Sequence, residues 1–289
     1  MRKELSAKEY KKILVEIGVS YLGCFSQSAK LIKNQEVSNV ITYNINLMPW
    51  NWSGHQVCAC GEHCHFWCLN GSGRNCGDTI MRGFEGSIIN RARIKKTKLF
   101  FEDRDTFLNL MYYEIRKTQR YAETRGYGFS IRVNCTSDLN LRLFMYDGEH
   151  TNILDEFPDV QFYDYTKVPA NFDVSKEYKN YYMVASFDGY NHKFIRDVLE
   201  NGGNVAVVFE QEAKNFPIAY RGYPVIDGTK TDLIYTYPQG GYIVGLEMHR
   251  TASMYDKGHF IRPDTPFIIK EDDPACTYAK KVGIEGIDE

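Results

Sequence analysis

The chain has no apolar run approaching the roughly 20 residues a membrane-spanning helix needs, so no helical membrane protein is expected. Its first residues, MRKELSAKEYKK, are polar and charged, so no signal peptide is expected either. No GxGxxG follows the first strand-like segment, which disfavours a Rossmann dinucleotide site. GxxxxGK[ST], GxSxG and HExxH are also missing, so P-loop, serine-hydrolase and zincin chemistry find no footing. There is no internal repeat and no low-complexity linker. Charge of one sign is lacking too: 35 Lys and Arg stand against 37 Asp and Glu, for a net −2. That balance argues against wholesale wrapping of nucleic acid, while leaving room for a local basic groove.

What is present is enough for a sizeable core. Apolar residues make up 43% of 289 positions, and aromatics, mostly tyrosine and phenylalanine, reach 14%. Cysteine is unevenly spread. Five of eight lie between Cys58 and Cys76, in HQVCACGEHCHFWCLNGSGRNC, with His55, His63 and His65 among them. A chain in a reducing compartment crowds thiols for a metal more readily than for disulfides. Cys60, Cys64 and Cys68 recur every fourth residue, which on a helix would stack them on one face. Cys58 and Cys76 flank the trio. These five are the candidate metal ligands, soft donors suited to a [4Fe–4S] cluster or, alternatively, Zn²⁺. Cys24, Cys135 and Cys276 are isolated and read as small buried hydrophobes.

Periodicity predicts helices over residues 5–35, with a break at Gly18 or Gly23, and over most of 87–126. Strands are expected near 40–47, 129–134, 160–165, 181–187, 204–209, 224–227 and 242–247. Their near-continuous apolar character, alternating with helices, implies parallel strands covered on their faces. The expected fold is α/β, a closed or partial parallel β/α barrel with an N-terminal helical appendage. An open doubly wound sheet is the alternative. The corresponding divisions are 1–37, a barrel-like domain over 38–262 with its Cys-rich loop at 55–76, and an extension over 263–289.

Polar residues gather where these strands end, the place where parallel α/β folds bind ligands. Asn134, Asp138, Asp164, Lys167 and Asp227 are the candidate catalytic set; Asp188, Glu247 and His249 occupy similar positions. A single carboxylate at such a place is more often a turn or cap residue. RARIKKTK puts Arg91, Lys95 and Lys98 on one helix face, either a phosphate-binding surface or a solvated flank. Arg91, Lys95 and Ser186 are the candidate cofactor contacts. Trp50 and Trp52 read equally as a platform for a stacked base or as a plug.

The blocks SGHQVC, RARIKKT, FFEDRDTF, IRVNCTSD, FPDVQFYDYTK, NYYMVASF, GGNVAVVF, PVIDGTKTDLIY and YIVGLEMH resemble the gene-product-88-like family of bacteriophage proteins, a group of uncharacterised activity. The resemblance spans about residues 40–262 and implies a phage protein working in the reducing cytoplasm of the bacterial host. A looser likeness, of placement only, is to radical S-adenosylmethionine enzymes, whose three-cysteine loop follows the first barrel strand. The spacing Cys60-x3-Cys64-x3-Cys68 departs from their Cys-x3-Cys-x2-Cys, and no glycine-rich segment marks an S-adenosylmethionine site. The functional expectation is a metal-dependent barrel enzyme acting on a nucleotide or nucleic-acid-derived substrate. The alternative is a non-catalytic phage factor whose structural metal site supports binding of nucleic acid or a host protein.

Overall fold

The computed structural model describes residues 3–26, 29–65, 68–248 and 267–278. His249 and the acidic tail lie outside them. The chain opens with α1 (Ala7–Ile17), β1 (Gly23–Cys24), α2 (Ala29–Ser38) and β2 (Val40–Ile45). Three helices follow: α3 (Gly73–Gly86), α4 (Ile88–Glu102) and α5 (Arg104–Glu123). Then come β3 (Gly128–Arg132), α6 (Ile153–Glu156), β4 (Gln161–Thr166), α7 (Pro169–Glu177), β5 (Tyr181–Ser186), α8 (His192–Glu200) and β6 (Val205–Phe209). Five short strands complete the order: β7 (Ala219–Tyr220), β8 (Tyr223–Asp227), β9 (Ile243–Glu247), β10 (Ile268–Ile269) and β11 (Cys276–Thr277).

The sheet runs β1-β2-β3-β4-β5-β6-β9-β8-β7-β11, with β10 beside β6. Every pairing from β2 through β6 to β9 and β8 is parallel. The seven expected strands are these seven. β6, VAVVF, is buried at all but one position, as an unbroken apolar run requires when both faces are covered. One face carries Tyr43, Ile45, Ile131, Phe162, Met183, Val205 and Val207. It packs on Phe107, Leu108, Met111 and Ile115 of α5 and on Ile195, Val198 and Leu199 of α8. The other face carries Tyr163, Val184, Ala206 and Val244, capped by Leu233, Ile234 and Tyr237 from the β8–β9 connection.

No pairing closes the sheet into a barrel among the described residues, so it is an open, mostly parallel α/β sheet. β2 to β6 sit side by side in chain order, and β9 then lies between β6 and β8. Most of 87–126 is helical as expected, in two pieces, α4 and α5. Asp103 leaves the helical region (φ −146°, ψ 75°) and caps α5 by accepting from the Thr106 amide.

The N-terminal segment is tied to the core rather than appended to it. α1 starts on a Ser6–Glu9 capping box and stops at Gly18, whose φ of 72° suits glycine. Leu14 is buried in the main core. Glu114 of α5, only 5% exposed, accepts from the hydroxyls of Tyr10 and Tyr43 at 2.7 Å each. It also accepts from the amides of Leu22 and Gly23 at 2.8 Å each. One carboxylate thus joins α1, β1, β2 and α5.

Candidate functional site

The long β2–α3 connection lies across the carboxyl ends of the parallel strands. The Thr136 hydroxyl, just past β3, donates to the Leu47 carbonyl at 2.7 Å. The Asp138 amide donates to the Val57 carbonyl at 2.8 Å. Further along, His63 packs on Tyr190 in the β5–α8 connection, with ring centroids 4.0 Å apart. The loop therefore reaches from the end of β2 to the end of β5.

Cys60, Cys64 and Cys68 do not stack on a helix. The stretch is a chain of tight turns, with Gly61 N donating to Cys58 O (3.0 Å) and Cys64 N to Gly61 O (3.2 Å). His65 N also donates to Gly61 O, and Cys68 N to His65 O. The cause is local packing. Gly61 folds against Trp50 so closely that a Cβ there would lie 2.8 Å from the indole and 3.0 Å from the Cys58 Cβ. Trp50 stacks on His65 at 4.8 Å, and Trp52 meets the edges of His65 and Phe84. Here the tryptophans act as a plug that shapes the loop. His55 is drawn aside, stacked on Phe101 and 3.4 Å from the Glu102 carboxylate.

None of the eight cysteines is in a disulfide. The Cys58 sulfur faces the Trp50 amide, and the Cys68 sulfur the Asn70 amide, each at 3.5 Å. Cys58, Cys64 and Cys68 act electrostatically on one another, and Cys60 on this side also senses Cys64. Burial, reinforced by Cys68, pushes the Cys58 thiol well above its usual range; burial and Cys64 take Cys68 up to about 11. Cys76 is carried separately, on α3. Among the described residues no group of three or more His, Cys, Asp and Glu is arranged to hold a metal ion. The expected convergence is thus not pre-assembled: turns bring the thiols into one neighbourhood without the common face a helix would give.

Of the candidate catalytic residues, Lys167 stands closest to this chemistry. Burial disfavours its ammonium, but Cys64, Asp138, Cys58 and Asp188 outweigh burial and raise its pKa. Its Nζ donates to the Ser186 hydroxyl at 3.3 Å, which unites two residues singled out for separate roles. The others are mainly structural. Asp138 accepts from the Thr166 hydroxyl (2.6 Å), the Lys167 amide (2.8 Å) and Asn171 Nδ2 (3.0 Å). Asn134 binds the Leu139 carbonyl and accepts from the Leu139 amide and the Ser137 hydroxyl, closing its own loop. Asp227 accepts from the amide and hydroxyl of Thr229 within one turn. Asp188 accepts from the Tyr190 and Asn191 amides, and Glu247 from the Ala213 amide. Asp138→Ala is accordingly expected to cost about 2–4 kcal/mol, since three donors lose their acceptor, as read by urea unfolding.

Asp164 differs. It is 1% exposed, and burial, only partly opposed by Arg132 and the Asn134 amide, raises its pKa to about 8. A carboxyl with a raised folded-state pKa binds more protons folded than unfolded. Its contribution to stability is therefore full below about pH 4 and is lost as pH rises toward about 8. Asp164→Asn should flatten this slope, gaining on the wild type as pH increases in parallel unfolding curves. Equal slopes would contradict the assignment.

On α4, Arg91, Lys95 and Lys98 point outward as expected, but Lys95 Nζ is tied to the Gly18 carbonyl at 3.1 Å. Two inward cations were missed. Arg93 donates to Asn70 Oδ1, and the Asn70 amide faces the Cys68 sulfur. Arg132 pairs with the buried Asp232, 2.7 Å from Nη1 to Oδ2. Arg93 was detectable in principle: it is out of phase with Arg91, Lys95 and Lys98, on the side of the helix that buries Asn90, Thr97 and Phe100.

With this loop and sheet in view, a family model described as gene product 88 matches residues 23–262. The chain belongs to the gene product 88 family. The match covers β1 through β9, and so includes the thiol loop, α4 and every candidate strand end up to Glu247. It bears out the resemblance to that bacteriophage family. No curated protein and no solved structure matches the chain, so the likeness to radical S-adenosylmethionine enzymes gains no support. No helix of this gene product 88 member, among the described residues, is long and apolar enough to cross a membrane.

Proposed function

We propose that this gene product 88 protein is a phage-encoded metalloprotein of the host cytoplasm. Its loop thiols Cys58, Cys64 and Cys68 would hold an iron–sulfur cluster or Zn²⁺ at the carboxyl edge of the sheet, next to Lys167 and Ser186. The observation that carries the reading is the loop's construction. Two backbone amides are aimed at two sulfurs, and a lysine with a raised pKa stands beside the thiols. Burial holds these thiols protonated; the N–H···S contacts and a nearby cation work against it, toward the thiolate, the form that binds metal. Turns leave these side chains free to close on an ion without moving the sheet. A bound centre would supply Lewis acidity or an electron. The protein's own part is to present Lys167 and Ser186 to an anionic group of a nucleotide or nucleic-acid-derived substrate. Asp138 holds the Lys167 backbone in place.

A second reading, a structural metal in a non-catalytic factor, is favoured by one observation: Asp138, Asp188, Asp227 and Glu247 are all engaged as acceptors of backbone amides within the fold. Exposed Arg91 and Lys98 would then meet nucleic acid or a host protein. Ultraviolet–visible spectroscopy of anaerobically purified protein tests the metal and names it. A brown protein with charge-transfer absorption identifies a cluster, and a colourless protein containing zinc identifies the ion. A colourless, metal-free protein refutes both readings.

A further inference from the structure

The sheet face that carries Tyr163 is apolar on β5, β6 and β9, where it presents Val184, Ala206 and Val244. On β2, β3 and β4 the same face presents Thr42, Asn44, Ser130, Arg132, Tyr163 and Tyr165, as strand alternation requires. Most of these groups are satisfied. Thr42 and Ser130 share a hydrogen bond of 2.8 Å, and the Tyr163 hydroxyl reaches Asp232 at 3.3 Å. Arg132 Nη1 donates to Asp232 at 2.7 Å. Three enclosed atoms near the strands' carboxyl ends are not satisfied. Asn44 is only 3% exposed; its Nδ2 faces the Cys135 sulfur at 3.7 Å, and its Oδ1 has no hydrogen-bond partner among the described residues. Neither has Arg132 Nε, 3.9 Å from the Asp164 carboxylate, nor the Tyr165 hydroxyl. The three residues are neighbours. Asn44 and Arg132 are partners across the β2–β3 pairing, and the Arg132 guanidinium lies 5.1 Å from the centre of the Tyr165 ring. Each enclosed polar atom left open costs about 1–3 kcal/mol, so three in one place call for a shared partner.

The partner's chemistry follows from theirs. Asn44 Oδ1 accepts, Arg132 Nε donates, and the Tyr165 hydroxyl does either. Asp232 already offsets the charge of Arg132, so the group does not select an anion. Aromatic surface is at hand: the Tyr163 and Tyr235 rings lie 5.4 Å apart, and Tyr165 is half-buried. We propose that Asn44, Arg132 and Tyr165 bind the donor–acceptor edge of an uncharged nucleobase at the carboxyl ends of β2, β3 and β4. The tyrosine rings offer it faces to stack on. Arg132 and Tyr165 keep part of their surface in solvent, so the group is not sealed. The proposal rests on the nucleotide part of the reading above and is independent of the metal.

The test is isothermal titration calorimetry of the full-length protein with adenosine, cytidine, guanosine and uridine, and with their monophosphates. At least one nucleoside or monophosphate should bind, and Tyr165→Phe and Asn44→Ala should each weaken it by about 3- to 10-fold. The Tyr165 hydroxyl holds no other group among the described residues. Tyr165→Phe should therefore leave the melting temperature of the ligand-free protein unchanged or raised. A lower melting temperature with unchanged affinity would make the hydroxyl structural and overturn the proposal. If Asn44→Ala fails to fold by circular dichroism, Tyr165→Phe carries the comparison alone. Binding that neither substitution weakens overturns the base site and leaves the nucleotide reading intact. No binding of any nucleoside or monophosphate overturns both.

Discussion

Cys64→Ser is expected to strip the protein of nearly all its metal while leaving the sheet folded. Cys64 is the thiol that acts on Cys58, Cys60 and Cys68 alike, and it also acts on Lys167. A serine hydroxyl is a hard, protonated donor where a soft thiolate is needed. Loss of one of three thiolates should reduce affinity by about a hundredfold or more, beyond the loss from removing a residue that merely orients a ligand. The seven parallel strands gain nothing from this side chain, so far-ultraviolet circular dichroism should be unchanged. Cys276→Ser, at the far end of the sheet in β11, is the control and should keep its metal. Equal metal content in both variants would show that Cys64 is no ligand.

Glu114→Leu should be the most destabilising single substitution considered, by about 3–5 kcal/mol, because it leaves enclosed donors without an acceptor. The affected donors are the Tyr10 and Tyr43 hydroxyls and the Leu22 and Gly23 amides. The Tyr43 hydroxyl and the Leu22 amide cannot reach bulk water without opening the α1–β1–α5 junction, since both residues are fully buried. Lys96 would suffer too. It sits over the Tyr21 ring at 4.4 Å, and Glu114 is the anion that supports its charge. Glu114→Gln retains an acceptor oxygen and should cost less, about 1–3 kcal/mol. Guanidinium unfolding followed by tyrosine fluorescence measures both. A loss under about 1 kcal/mol for the leucine variant would mean the carboxylate is not holding the N-terminal segment in place.

The strands were legible because burial on both faces leaves an unmistakable mark. NVAVVFE and YIVGLEM offer no polar alternation, and β6 and β9 occupy them. Closure was not legible, since the same apolar strands serve open and closed sheets; edge pairing decides, and it depends on distant segments. The cysteine loop misled for a different reason. A spacing of four defines a face only if the backbone is helical. Gly61 and the Trp50–His65 stack make turns instead. At the strand ends, position was readable and role was not. Asp138 and Asp227 stand where catalytic acids would, yet their oxygens are taken by neighbouring amides and hydroxyls. Arg93 was hidden by its company in RARIKKTK, where only the phase of the helix separates it from the outward cations.

The most direct measurement is elemental analysis for iron, acid-labile sulfide and zinc on protein purified from its host without oxygen. This account predicts a stoichiometric metal complement, either iron with matching sulfide or about one zinc per chain. Iron, sulfide and zinc all near zero in folded, fully reduced protein would contradict it.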